Sequence, residues 1–225
     1  MTCPDPASPP GPGSGPSDRR TATMQFTLQG VFLTETTYQG RPAFQVTMPA
    51  SATQDPAREA LSDRDFMAWV PMDFGDGTIE VDVASVLAPD APDYARGFIG
   101  LAFRIGADNS FESIYLRPAN ARVDDQVRRN HTVQYVAYPE YPFPRLRREE
   151  PEKYETHVDI GLAEWIRMRI ELQGTTARLF INDAPHPTLV VSDMKLGGAQ
   201  RGGVGLWIEA GTIGYFSNLR ITPVR

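Results

Sequence analysis

The feature that most constrains this chain is a succession of short segments in which apolar and polar residues alternate, separated by glycine-rich turns. Residues 78–83 set Ile79, Val81 and Val83 on one face and Thr78, Glu80 and Asp82 on the other, the period of a half-buried strand. The turn before them, Asp73 to Gly77, carries Asp-Gly chemistry suited to a tight connection. Gly97 to Arg104 is almost continuously apolar and reads as a buried strand. Phe111 to Arg117 follows across the turn Gly106–Ser110, completing a hairpin. Ile166, Met168, Ile170 and Leu172 alternate with Arg167, Arg169 and Glu171, so that strand has one wet face. Gly174 then turns the chain into Ala177–Asn182, and Gly203–Ile208 and Tyr215–Ile221 close the series. No window of twelve or more residues sustains a helical period; Ala57 to Met67 is the one segment expected to form a short helix. Glycine and proline together fill 39 of 225 positions, which suits many turns and argues against a helical bundle. The expected fold is all-β, a two-sheet antiparallel sandwich.

Residues 1–23 stand apart. Twelve of the first seventeen are Pro, Gly or Ser and none is a large aliphatic, so this segment cannot offset its ordering entropy and is expected to be a disordered tail. It has no apolar central region, and its Arg19-Arg20 pair lies at the wrong end for a secretory signal. The single cysteine, Cys3, has no partner for an intrachain disulfide. On these two absences the expected location is cytoplasmic. No stretch approaches the roughly 20 apolar residues of a membrane-spanning helix, so no membrane partner is expected.

The order of motifs from Met24 onward resembles the concanavalin A-like lectin/glucanase superfamily. The matching pieces are Gly77-Thr-Ile-Glu-Val-Asp82, Gly100-Leu-Ala-Phe-Arg104 and Tyr115-Leu-Arg-Pro118. Further on come Trp165 opening its strand, the hairpin Ala177-Arg-Leu-Phe-Ile-Asn182, Gly203-Val-Gly-Leu-Trp207 and Tyr215-Phe-Ser-Asn-Leu-Arg220. Within that superfamily the chain resembles a laminin G-like branch that includes bacterial 3-keto-disaccharide hydrolase domains. The resemblance implies a jelly roll over residues 24–225 as a single domain. It implies sugar binding or glycoside chemistry by analogy, because the fold hosts lectins, hydrolases, lyases and plain interaction modules.

Residues 117–157 break the strand rhythm and are expected to form a long loop. Within 117–148, Arg117, Arg122, Arg128, Arg129, Arg145, Arg147 and Arg148 face only Asp124, Asp125 and Glu140, a local excess of positive charge in a chain whose net charge is −6. The absence of lysine from that cationic set points to fixed, forked hydrogen bonding. Asn120, Gln126, Asn130 and His131 add amide and imidazole groups. Tyr135, Tyr138 and Tyr141 recur every third residue among prolines, a spacing that would align them along one polyproline-like edge. Sugars need planar hydrogen-bond partners for their hydroxyls and rings against their C–H faces. The expected ligand-binding residues are therefore Tyr115, Arg117, Asn120, Arg122, Asp125, Gln126, Arg128, Arg129, Asn130, Tyr135 and Arg147, with a sugar or sugar derivative as partner and no nucleic acid, given the acidic total. The same composition suits a protein interface, or a loop that satisfies its own backbone.

For catalysis the candidates are His131, able to act as a base near neutral pH, and Glu112 on the strand leading into the segment. Alternation sets Tyr115 and Arg117 on the face opposite Glu112. Glu80-Val-Asp82 lacks the third carboxylate of the glucanase motif, since Ala84 and Ser85 follow, and reads as an acidic strand row. No Cys/His cluster suggests a transition metal, and no specific loop supports a structural Ca²⁺; no cofactor is expected. Trp165 and Trp207 read as core residues, and Trp69 as a minor candidate sugar platform.

Overall fold

The computed structural model describes residues 24–224; the expectation for the first 23 residues lies outside them. Fourteen strands and two short α-helices are present: β1 (Thr27–Gln29), β2 (Phe32–Tyr38), β3 (Arg41–Thr47), β4 (Met67–Phe74), β5 (Gly77–Leu87), β6 (Ile99–Ile105), β7 (Phe111–Leu116), α1 (Gln126–Asn130), β8 (Val133–Tyr138), α2 (Phe143–Glu149), β9 (Glu155–Thr156), β10 (Ile166–Gln173), β11 (Thr176–Ile181), β12 (Leu189–Val191), β13 (Gly202–Ile208) and β14 (Thr212–Pro223). They form two seven-stranded antiparallel sheets. The first runs β1-β4-β13-β6-β7-β8-β9 and the second β12-β11-β10-β5-β14-β3-β2. This is the jelly-roll sandwich, with its inner faces locked by Leu101, Ile114, Val133 and Leu206 against Ile79, Val81, Met168 and Ile170, all buried.

The two sheets differ on their outer faces. The second is wet: Glu80, Arg167, Arg169 and Glu171 stand in cross-strand register along β5 and β10, matching the alternation seen in sequence. The first is covered. The chain between β3 and β4 and the stretch around α2 lie over it, and Met67, Phe111, Tyr115 and Trp207 on that face are 1% exposed or less. Burial on both faces is why β6 and β7 carry almost no polar alternation.

Four expectations need correction. Residues 57–66 form turns and extended chain, because Asp55 takes the amides of Ala57, Arg58 and Glu59 in a local turn and the Gln54 side chain then takes that of Ser62; Met67 opens β4. The helices lie within 117–157 instead. There Asp125 caps α1 by accepting from the Arg128 amide at 3.1 Å, and prolines at the first turn start α2. Segment 117–157 is accordingly no continuous loop, and only its α2 stretch lies over a sheet. Its middle is β8, paired with β7 from Phe111↔Tyr138 to Leu116↔Val133. The three tyrosines share no edge, since a strand sends neighbours to opposite faces. Tyr135 enters the space between the sheets, Tyr138 stacks on Phe111 at 5.0 Å, and Tyr141 bridges back to Ala137. Trp165, finally, is half-buried at the second sheet's outer face, edge-on to Tyr38 and under Arg41, outside the core.

Candidate functional site

On the covered face of the first sheet, where β7 ends, the covering segments leave a cavity of about 170 Å³. Its floor follows from a glycine. Gly100 on β6 stands between Trp207 on β13 and Tyr115 on β7 in the ladder, and a Cβ there would fall 2.5 Å from the Tyr115 Cα and Cβ. Without that Cβ, the Tyr115 and Trp207 rings meet at 4.6 Å across the strand, and the indole N–H donates to the Arg64 carbonyl at 2.7 Å.

Arg117, two residues after Tyr115 and on the same face, is 4% exposed. Its guanidinium donates to the Tyr115 hydroxyl (2.7 Å), the His131 carbonyl (3.0 Å) and Gln134 Oε1 (3.3 Å), and lies against the rings of Phe98, Tyr115 and Phe143. The Tyr115 hydroxyl donates in turn to Asp63 Oδ1 at 2.7 Å, and Asp63 Oδ2 accepts the Phe143 amide at 2.6 Å. Asp63 thus ties the covering segment, the sheet and α2 together at one point. Burial pushes its carboxyl above the usual carboxylate range, against the pull of those bonds and of Arg117. Burial also holds the Tyr115 phenol well above its ordinary value, so it keeps its proton.

The opposite wall is Glu209, ion-paired to Arg64 through both oxygens and also accepting the Ala210 amide. Burial raises its pKa as well. His131 lies at the rim with Nε2 3.1 Å from Glu155 Oε1, and Glu155 accepts a forked pair of bonds from Arg147. Partial burial first, and then the Arg147 charge, hold the imidazole below its ordinary value, while Glu155 pulls the other way. Tyr94 and Arg96 complete the mouth.

Of the thirteen residues expected from sequence to bind or react, Tyr115, Arg117, Asn120, His131 and Arg147 line this cavity. Arg128 adjoins it, donating to Asn120 Oδ1 at 3.4 Å. The rest lie elsewhere. Arg122 pairs with Asp159 and Glu164 on the surface. Asp125 is the cap of α1, and Gln126 and Asn130 bond each other along its exposed side. Arg129 sits on the same helix, where its carbonyl accepts from Thr132. Glu112 and Tyr135 are buried between the sheets. The Tyr135 hydroxyl donates to Glu112 Oε1 at 2.8 Å and accepts the Lys195 amide at 2.7 Å. Glu112 is on the strand face opposite Tyr115, with Arg104 3.7 Å away, and has no path to the cavity. Arg104 reaches that position because a bulge at β6 gives it a φ of 54°.

Asp63, Tyr94, Arg96, Phe98, Phe143 and Glu209 are lining residues that sequence reasoning missed. The signal available for two of them was the pair Arg96 and Phe98 flanking Gly97 just ahead of a buried strand. The row Glu80 and Asp82 is tied to Arg167 and Arg41 on the far sheet. Trp69 lies on β4, on the cavity's side of the first sheet but outside its lining. Among the described residues no group of three or more His, Cys, Asp or Glu side chains is placed to hold a metal ion.

No family model and no curated protein matches the sequence. Solved structures do. A Bacillus subtilis protein of unknown function with a galectin-like fold superposes with a TM-score of 0.51 at 12% identity, covering 88% of this chain and 97% of its own. The likeness is one of fold. The carbohydrate binding module CBM66 from Bacillus subtilis follows with a TM-score of 0.49, 14% identity and coverage of 85% and 94%. A putative glycosyl hydrolase from Parabacteroides distasonis gives 0.48, 12%, and 85% and 90%.

Proposed function

We propose that this chain is a carbohydrate-recognising jelly-roll domain that takes a sugar or sugar derivative into the cavity on its covered sheet face. The observation that carries the reading is the pairing of ring faces (Phe98, Phe143 and Tyr94) with fixed polar groups (Arg96, Asn120 and His131) around one space of about 170 Å³. That is the mixture a saccharide demands, with flat apolar surface for its C–H face and oriented donors and acceptors for its hydroxyls.

A second reading places catalysis in the same cavity, as the resemblance to 3-keto-disaccharide hydrolases implies, with His131 as base. Its low pKa and the Glu155 contact favour that role. Against hydrolysis stands the state of the lining carboxylates. Both oxygens of Asp63 and both of Glu209 accept bonds from protein donors that use these carboxylates as structural ties between segments. Binding is therefore the stronger reading.

Calorimetric titration of the full chain with neutral, acidic, sulfated and 3-keto saccharides tests it, with Phe98→Ala as the control. Saturable binding weakened tenfold or more by Phe98→Ala is the expected result. An absence of binding across the panel sinks the sugar reading and favours a protein interface. Turnover of a bound saccharide that His131→Ala abolishes would replace binding with catalysis.

A further inference from the structure

The arginines around the cavity mouth differ from most others in the protein. Arg41, Arg64, Arg122, Arg147, Arg167 and Arg201 each face a carboxylate within 4.0 Å. Among the described residues Arg96, Arg117 and Arg128 have no such partner. They nevertheless share one neighbourhood, because the charges of Arg128 and Arg117 both act on Arg96 and, after burial, are the next largest influences lowering its pKa. Three guanidinium groups gathered with no carboxylate in contact, Asp93 and Asp63 acting on Arg96 and Arg117 only at longer range, repel one another, and that repulsion is relieved when an anion enters.

The local geometry leaves donors for such an anion. Arg96 commits Nη1 to the carbonyls of Asp93 and Ala95, both at 2.6 Å, and among the described residues its Nε and Nη2 have no hydrogen-bond partner. Arg128 reaches Asn120 Oδ1 through Nη2, and its Nε is buried without a partner. The Ala119 amide donates to the Arg96 carbonyl at 3.1 Å, fixing the two segments side by side at the edge of the lining. Arg117 is held beneath them by its bonds to Tyr115 and His131.

We propose that Arg96 and Arg128, backed by Arg117, form an oxyanion subsite at the mouth of the cavity, and that the saccharide it takes carries a carboxylate or sulfate group. Planar guanidinium forks match both groups, and a rigid pair of forks selects an anionic sugar over its neutral counterpart. This inference rests on the cavity being the sugar site. A neutral sugar would leave the mutual repulsion of the three guanidinium groups unrelieved.

The test compares matched oligosaccharides that differ only at C6, as a glucose, a glucuronate or a glucose 6-sulfate, at one fixed ionic strength on the full chain. The anionic forms are expected to bind at least tenfold more tightly than the neutral one. Arg96→Gln and Arg128→Gln should each remove most of that preference, weakening the anionic forms at least fivefold more than the neutral one. Inorganic sulfate should displace the anionic sugar without displacing the neutral one, a measurement that needs no variant to fold. Preference for glucuronate identifies the group as a carboxylate, and preference for the sulfated sugar identifies it as a sulfate ester. Equal binding of neutral and anionic forms overturns this inference and leaves the sugar reading standing. Absence of binding by all three, where other saccharides bind, likewise overturns it. Absence of binding by any saccharide removes both.

Discussion

The Tyr115 hydroxyl links the sheet to Asp63, where three separate segments are joined, and its removal is the sharpest test of how the cavity is held. Tyr115→Phe keeps the ring against Trp207 and Gly100 but deletes one bond donated to Asp63 Oδ1 and one accepted from Arg117 Nη2, both 2.7 Å. Each involves a charged partner and is worth about 1.5–3 kcal/mol. Arg117 retains the His131 carbonyl and Gln134, while Asp63 retains only the Phe143 amide. The net loss should therefore be about 2–4 kcal/mol, most of it from a buried carboxylate left half satisfied. At roughly 2–4 °C per kcal/mol for a chain of this size, that is a fall in Tm of about 4–16 °C. Urea unfolding of wild type, Tyr115→Phe, Asp63→Asn and the double variant gives the magnitude, provided the slope m is unchanged. Because the two groups share one bond, the double variant should be less unstable than the sum of the singles by about 1–2 kcal/mol. A cost for Tyr115→Phe below about 0.5 kcal/mol, or additive effects in the cycle, would refute the picture of Asp63 as the tie.

Other consequences are open to measurement. The His131 imidazole should titrate below 6.5 by NMR; Arg147→Gln should raise its pKa and Glu155→Gln lower it, and the reverse order would discard the rim as drawn. The Glu112 carboxyl, raised by burial, gives stability that is fully present below the ordinary carboxylate pKa and is lost as pH rises through the raised value. Glu112→Gln should therefore gain on wild type as pH rises across that window, by at most about 1.4 kcal/mol per pH unit, which urea unfolding at several pH values will show. Gly100→Ala pushes a methyl into the Tyr115 backbone and should cost about 1–3 kcal/mol, with a changed near-ultraviolet dichroism from Tyr115 and Trp207.

The second sheet was the more legible in sequence because one of its faces meets water. Alternation in β5 and β10 is the direct imprint of that asymmetry. The first sheet, covered on both sides, loses the imprint, yet the parity of Glu112 against Tyr115 and Arg117 still placed those residues on opposite faces. β8 was missed because Val133-Gln-Tyr-Val-Ala-Tyr138 sits between an arginine-rich helix and a proline cluster, and the threefold tyrosine spacing suggested a different backbone. The cavity was half legible for a related reason. Tyr115, Arg117, Asn120 and His131 come from one stretch of chain, whereas Asp63 and Glu209 reach the site from 52 residues before Tyr115 and from the far end of β13. Nothing local marks a residue whose role depends on a fold-wide closure.

The placement of β14 affects how the protein is made. β14 lies in the interior of the second sheet, paired on one side with β5 from Thr212↔Leu87 to Pro223↔Gly77 and on the other with β3. During synthesis the β2–β3 hairpin therefore emerges more than 150 residues before its only lateral neighbour, and β5 waits with one edge bare. Until β14 leaves the ribosome, two open strand edges are available for pairing with other nascent chains. Truncation within 212–223 should accordingly yield aggregation in place of a smaller folded domain, and holdase chaperones that shield exposed strands should raise the yield of the whole chain.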